Sequence, residues 1–258
     1  MNISNARIRN GLMATVVLML VSPASWGLTT YSENFDGLNM ADTNALGNAG
    51  WLVYGNVWDG AAYTSNYLYG YGPFGAPNGG SGTSEGFSAL VPDQGGPEQG
   101  TQQLSVYNDY HNFDHANGYA IEANVYQEQS IGAGDVGETW SFSFDAKLGN
   151  IEGASTAAAF IKTLDPQAGF ALTNFLTADM TSTSTLWTTY KLSIFIDASL
   201  VGQLLQFGFL SVATNYEGSG IFYDNVAFGD VVPIPGAVLL LASGLAGLMG
   251  FRRKPASA

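Results

Sequence analysis

Large apolar side chains repeatedly alternate with small or polar ones in the second half of this chain. Trp140-Ser141-Phe142-Ser143-Phe144 is the clearest run. Leu192-Ser193-Ile194-Phe195-Ile196, Leu205-Gln206-Phe207-Gly208-Phe209 and Ile221-Phe222-Tyr223-Asp224-Asn225-Val226-Ala227-Phe228 follow the same rule. A strand turns successive side chains to opposite faces, so a period of two gives a sheet one apolar face. That face has to close on another layer. No long amphipathic helix competes, and Gly, Asn and Asp punctuate the runs, as in an antiparallel sandwich or barrel. The expected fold is all-β, an antiparallel β-sandwich or barrel. The stretch from Tyr69 to Gly100 holds Pro73, Pro77, Pro92, Pro97 and many glycines, and it reads as one long loop.

Both ends differ in character from the middle. Arg7 and Arg9 precede the apolar run Gly11–Val21, and Pro23-Ala24-Ser25-Trp26-Gly27 supplies small residues for cleavage. Residues 1–27 therefore read as a secretory signal peptide, cut before Leu28. At the other end, Val232-Pro233-Ile234-Pro235 disfavours helix through its prolines. The uncharged run Ala237–Phe251 follows, and Arg252, Arg253 and Lys254 close it. Alone, that run is shorter than the roughly 20 residues that span a bilayer; extended back to Val231 it is just sufficient, with the basic cluster held in the cytoplasm.

An ordinary membrane anchor is one reading of residues 231–258. The order of proline motif, weak membrane helix and Arg-rich end also resembles the PEP-CTERM sorting signal of Gram-negative bacteria, in its VPLP-like variant. Pro233-Ile234-Pro235 departs from the commoner Pro-Glu-Pro. The resemblance implies an exosortase-type membrane peptidase as partner, with Pro233, Pro235, Arg252 and Arg253 as sorting residues. It also implies transient anchoring in the inner membrane through the C-terminal helix, and a cell-surface or extracellular destination.

Residues 28–230 remain as a single domain of ordinary sandwich size. There is no cysteine, so an exported domain of this kind has no disulfides. Its only cations are Lys147, Lys162 and Lys191, against all 21 acidic residues of the protein. Nucleic acid and anionic membrane are poor partners for such a surface. Neutral glycans or calcium suit it better.

Several pieces, in order, resemble the galactose-binding-like jelly-roll carbohydrate-binding modules that accompany cellulases and xylanases. These are Glu33-Asn34-Phe35-Asp36-Gly37, Gly50-Trp51, Gln99 to Val106, Trp187-Thr188-Thr189-Tyr190, Leu205–Phe209 and Gly220–Phe228 with its Tyr-Asp-Asn-Val. The resemblance implies a jelly roll whose concave face binds a polysaccharide, with Glu122 and Gln206 at its polar positions. Sugar rings stack on aromatic side chains and need fixed hydrogen-bonding partners. Trp58 and Tyr110 are the candidate platforms. The other reading of Glu122 and Gln206 is a solvated strand face, and that of Trp58, Tyr110 and the Tyr67-Tyr69-Tyr71 series is packing under a loop.

The same resemblance implies a structural Ca2+ held by Asp36 and Asp224, which a sandwich brings side by side from its first and last strands. Two adjacent carboxylates raise each other's pKa unless a cation intervenes. The family's third acid falls at Gln99, so Glu98, Glu33 or a side-chain carbonyl is the expected substitute; without an ion, Asp224 simply caps the turn before Asn225. His111 and His115 have a metal-like spacing, but Asn112, Asn117 and Gly118 argue against a helix that would align them. No His-Glu-x-x-His or phosphate-binding loop occurs. The chain is expected to be non-catalytic, with a structural matrix or adhesion protein and a polysaccharide-degrading enzyme as the alternatives.

Overall fold

The computed structural model describes residues 27–79, 86–108, 113–214 and 217–231. The expected signal peptide up to residue 26, Tyr110, His111, Pro233, Pro235, Arg252, Arg253 and the apolar tail lie outside these residues. Among the described residues, no helix is long and apolar enough to cross a membrane.

The regular structure of the described chain is nearly all strand: β1 (Tyr31–Glu33), β2 (Leu52–Asp59), β3 (Asn66–Gly75), β4 (Phe87–Pro92), β5 (Gln102–Tyr107), β6 (Ala120–Ser130), β7 (Thr139–Ile151), β8 (Thr156–Asp165), β9 (Ala171–Asp179), β10 (Thr188–Phe195), β11 (Leu204–Ala213) and β12 (Ser219–Asp230). Short helical turns α1 (Ala45–Asn48) and α2 (Phe113–Ala116) lie between strands. One sheet has the order β10-β7-β12-β5-β4, with β1 added on β12; the other has the order β3-β2-β6-β11-β8-β9. Every pairing is antiparallel.

The alternation of the sequence becomes the core of a two-layer sandwich. Trp140, Phe142 and Phe144 turn inward from β7 and are buried, while Ser141 and Ser143 face outward. Across the layers, Phe207 of β11 stacks on Phe228 of β12 with ring centroids 4.2 Å apart, and Phe209 stacks on Tyr223 at 3.6 Å. Trp51 is fully buried against Tyr31, Phe35 and Phe209. Each such side chain contributes about 1.5–3 kcal/mol by burial, which is how a chain without disulfides holds both sheets together.

Two local expectations are corrected. The stretch Tyr69–Gly100 is not one loop, because the end of β3 and all of β4 lie within it. Its glycines reflect close packing as well as turning. The hydroxyls of Tyr54 and Tyr67 occupy the space a Gly70 side chain would need, and on the paired strand the Tyr71 ring occupies that of Gly55. Near His115 a helix does form, as the single turn α2. Gly118 ends it in the left-handed region at φ 77, its N–H donating to the His115 carbonyl at 3.0 Å.

Midway along, β12 changes partner. Ile221–Tyr223 pair with β5, whereas Val226–Phe228 pair with β1. A bulge against β7 falls between Asp224 and Ala227, and Asn225 there has φ 47. The segments after β1 and before β5 converge over this junction.

Candidate functional site

The outer face of the sheet running from β3 to β9 carries a cleft of about 830 Å³. Period-two alternation decides what reaches it. With Ile121, Ala123 and Val125 in the core, β6 turns Glu122, Asn124, Tyr126 and Glu128 outward. By the same logic β2 presents Tyr54, Asn56 and Trp58, β11 presents Gln206, and β8 presents Lys162. Gly208 sits between Phe160 and Tyr126 on this face and leaves the floor open. A side chain at Gly208 would run into the backbone of Val125 and Tyr126.

Hydrogen bonds converge on Glu122, which is 1% exposed. Its Oε1 accepts from Asn124 Nδ2 at 2.7 Å and from Asn56 Nδ2 at 3.1 Å, with Lys162 Nζ 3.5 Å away. Lys162 Nζ also donates to Asn124 Oδ1 at 2.5 Å and lies 4.3 Å and 5.0 Å from the ring centroids of Phe160 and Phe175. Burial pushes the Lys162 ammonium below its ordinary pKa, and Glu122 opposes that shift. The second oxygen of Glu122, Oε2, is buried without a hydrogen-bond partner.

Aromatic rings form the wall beside Glu122. Trp58 packs against Tyr63 at 5.5 Å and Tyr67 at 5.2 Å, and Tyr63 approaches Phe175 at 6.1 Å. Tyr63 and Tyr67 keep about half of their surface exposed, as does Phe170 at the rim. The Tyr63 hydroxyl is held well above the ordinary tyrosine pKa, first by burial and then by the charge of Glu122 and a contact with its carboxylate. For Tyr67 the causes are burial, then the neighbouring Tyr54 hydroxyl and Glu122. Both hydroxyls therefore keep their protons at neutral pH and remain donors.

Of the residues expected at a glycan site, Glu122, Gln206 and Trp58 line this one cleft. Gln206 is not free, since its Nε2 donates to Glu128 Oε2 at 2.8 Å. Trp58 underlies Tyr63 and Tyr67, and its indole Nε1 is buried without a hydrogen-bond partner. The exposed stacking surfaces are thus Tyr63 and Phe170, which the sequence does not single out, together with Tyr67. Tyr63 sits in the turn between β2 and β3 with φ 64, where strand alternation gives no direction. Away from the cleft, His115 is buried in α2, and its neighbour Asp114 accepts from the Tyr69 hydroxyl at 2.8 Å.

The opposite sheet brings Asp36 and Asp224 together at the β12 junction. Asp224 is fully buried; its Oδ1 accepts from Asn225 N at 2.6 Å, and its Oδ2 has no partner. Burial, with Asp36 and Asp145 adding charge repulsion, pushes its carboxyl up to about 7. Asp36 Oδ1 accepts from Thr101 N at 2.8 Å, Thr101 Oγ1 at 3.0 Å and Gln102 N at 3.2 Å, and the Thr101 backbone bond chiefly lowers its pKa.

The third acid here is Asp145 of β7, unforeseen in the sequence. It accepts from Thr189, Gln99 and Asn225 at 2.6, 2.9 and 2.9 Å. Burial raises its pKa, but these donors outweigh burial and hold it low. Glu33 Oε1 accepts from Phe35 N at 2.8 Å, and Glu98 offers its carbonyl to Asn225 Nδ2 at 3.0 Å. Among the described residues, no three acidic or histidine side chains are grouped closely enough to hold a metal ion.

No protein-family model matches the chain, and no curated protein matches it. Several solved structures are similar. The enzymatically active domain of bacteriophage CBA120 tailspike protein 4 aligns at 16% identity and TM-score 0.39 over 56% of this chain, which spans 18% of the tailspike chain's length. A family 16 carbohydrate-binding module aligns at 12% identity and TM-score 0.37, covering 57% of this chain and 89% of its own. A cyclase from Fischerella sp. TAU, in complex with 4-(1H-indol-3-yl)butan-2-one, aligns at 15% identity and TM-score 0.38, covering 70% and 85%. Three such different proteins share this degree of likeness, so it argues for no one function.

Proposed function

We propose that the protein is an exported, non-catalytic glycan-binding sandwich of the jelly-roll type, and that the cleft around Glu122 is its site. One observation carries the reading: exposed aromatic faces stand directly over a buried hydrogen-bonding floor. Tyr63, Tyr67 and Phe170 offer flat apolar surface, while Asn56, Glu122, Asn124 and Lys162 offer fixed polar atoms below it. Sugar rings have the matching two-sided chemistry. A glycosidase needs two carboxyl groups about 5–9.5 Å apart. The acids lining this cleft are Glu122 and Glu128, six residues apart on one strand, or about 20 Å along an extended backbone.

The chain ends support delivery to the cell surface through a signal peptide (1–27) and exosortase-type processing of residues 231–258, with exopolysaccharide as the partner there. A structural Ca2+ at Asp36 and Asp224 is part of the same reading. The bare Oδ2 of Asp224 suits a cation, and calcium accepts a mixture of carboxylate and carbonyl oxygens. An ion there would tie the first strand to the last.

Screening the full-length protein on a glycan array, beside a reducing-sugar release assay, tests the reading. Binding without sugar release is expected, and Tyr63→Ala should weaken it at least about tenfold, roughly 1.4 kcal/mol. Sugar release that depends on Glu122 would make the protein an enzyme instead, and no binding to any glycan would remove the proposal.

A further inference from the structure

Resting on that reading of the cleft, we propose that its inner end selects a sugar with a free amino group beside a hydroxyl, the pattern of a de-N-acetylated hexosamine. Two buried polar atoms lie unmet there, Glu122 Oε2 and Trp58 Nε1. One only accepts and the other only donates. Asn56 pairs with Glu122 and Trp58 pairs with Ala120, so Trp58 and Glu122 are diagonal neighbours on one face. Such neighbours are about 7–8 Å apart at the backbone and within reach of long side chains. A ligand satisfying both must present a donor and an acceptor on the same side of one residue.

A diol also meets that requirement, and charge separates the two. The lining contains Glu122 and Glu128 but only one cation, Lys162. That ammonium is already committed to Oε1 of Glu122, to Asn124 and to the rings of Phe160 and Phe175. An ammonium on the sugar would therefore make a charge-assisted bond to the bare Oε2, stronger than a hydroxyl's. Trp58, Tyr63 and Tyr67 beside it favour a cation over their faces. An N-acetyl group removes the charge, and uronates meet a surface in which three lysines face 21 acids.

Glucosamine, N-acetylglucosamine and glucose tetramers, each β-1,4- and β-1,6-linked, differ only at the second carbon. Calorimetric titration of the full-length protein with this series, at about 0.15 M salt to screen general attraction, reads the preference. The glucosamine tetramer should bind about tenfold tighter than the other two, the difference between a charged and a neutral hydrogen bond. Glu122→Gln should erase that preference, whereas Trp58→Phe should weaken all three ligands by a similar factor. Should Glu122→Gln fail to fold, the glucosamine and N-acetylglucosamine ligands still make the comparison on the unaltered protein. Equal binding of all three, weakened by Tyr63→Ala, would overturn the amino preference and leave the glycan site standing. Glucosamine binding unchanged by both Glu122→Gln and Tyr63→Ala would mark adventitious attraction to an acidic surface and overturn it too. No binding of any tetramer would also overturn it, and the glycan array would then decide the fate of the cleft itself.

Discussion

Asp224 is a fully buried carboxyl with one oxygen unpartnered, and its behaviour with pH follows from that. Its pKa rises from 3.8 to about 7 on folding, first through burial and then through Asp36 and Asp145. The folded state thus holds this proton more tightly than the unfolded chain. The stability contributed is full below the unfolded value and is lost as pH rises through about 7. In EDTA, denaturation midpoints should therefore fall from pH 5 to pH 8, and Asp224→Asn should flatten that fall. Millimolar calcium should restore stability at pH 8 in the native sequence only, by mass action. A melting curve identical in EDTA and in calcium would exclude the ion. At this scale the family resemblance named Glu122 and Gln206, which line one cleft with Trp58. The sequence was silent where contact depends on register between distant strands. Asp145 meets Asp224 only because β7 pairs with β12 in one particular register, and nothing local to either residue announces that.

Among the elements, β7 carries the most direct link from pattern to packing. Phe142 is fully buried and touches Phe144, Phe207 and Phe209 at centroid distances of 4.9, 5.3 and 5.5 Å. Phe142→Ala should cost about 3–5 kcal/mol through lost transfer energy and the cavity left behind. Urea unfolding would show this as a lower midpoint at unchanged slope; a cost below about 1 kcal/mol would mean the sheets do not close over β7. Ser141→Thr, on the outer face of the same strand, should change little. Strands written as apolar-polar alternation were legible in advance, β7, β11 and β12 above all. Strand β3 was not, because its glycines accommodate tyrosine rings from neighbouring positions and look like turn residues in one dimension.

For the whole molecule, the sandwich supplies a rigid frame and the cleft occupies the outer face of one layer. The charge is concentrated in the central domain, and the two apolar ends carry the rest of the basic residues. That layout predicts a surface-located protein beginning at Leu28 and ending between Pro233 and Gly236. Mass spectrometry of surface and medium fractions reads both ends, and an intact cytoplasmic chain starting at Met1 would contradict export. The central claim, that the cleft holds a glycan, has a local reporter in Trp58. Trp26 belongs to the expected signal peptide, Trp51 and Trp140 are buried in the core, and the Trp187 indole donates to the Gln94 carbonyl at 2.9 Å outside the cleft. Titrating the full-length protein with its best array glycan should give a saturable change in tryptophan fluorescence. The change should vanish in Trp58→Phe and shift to at least about tenfold higher concentration in Tyr63→Ala. A saturable change of equal size and midpoint in all three proteins would place the ligand elsewhere and contradict the account.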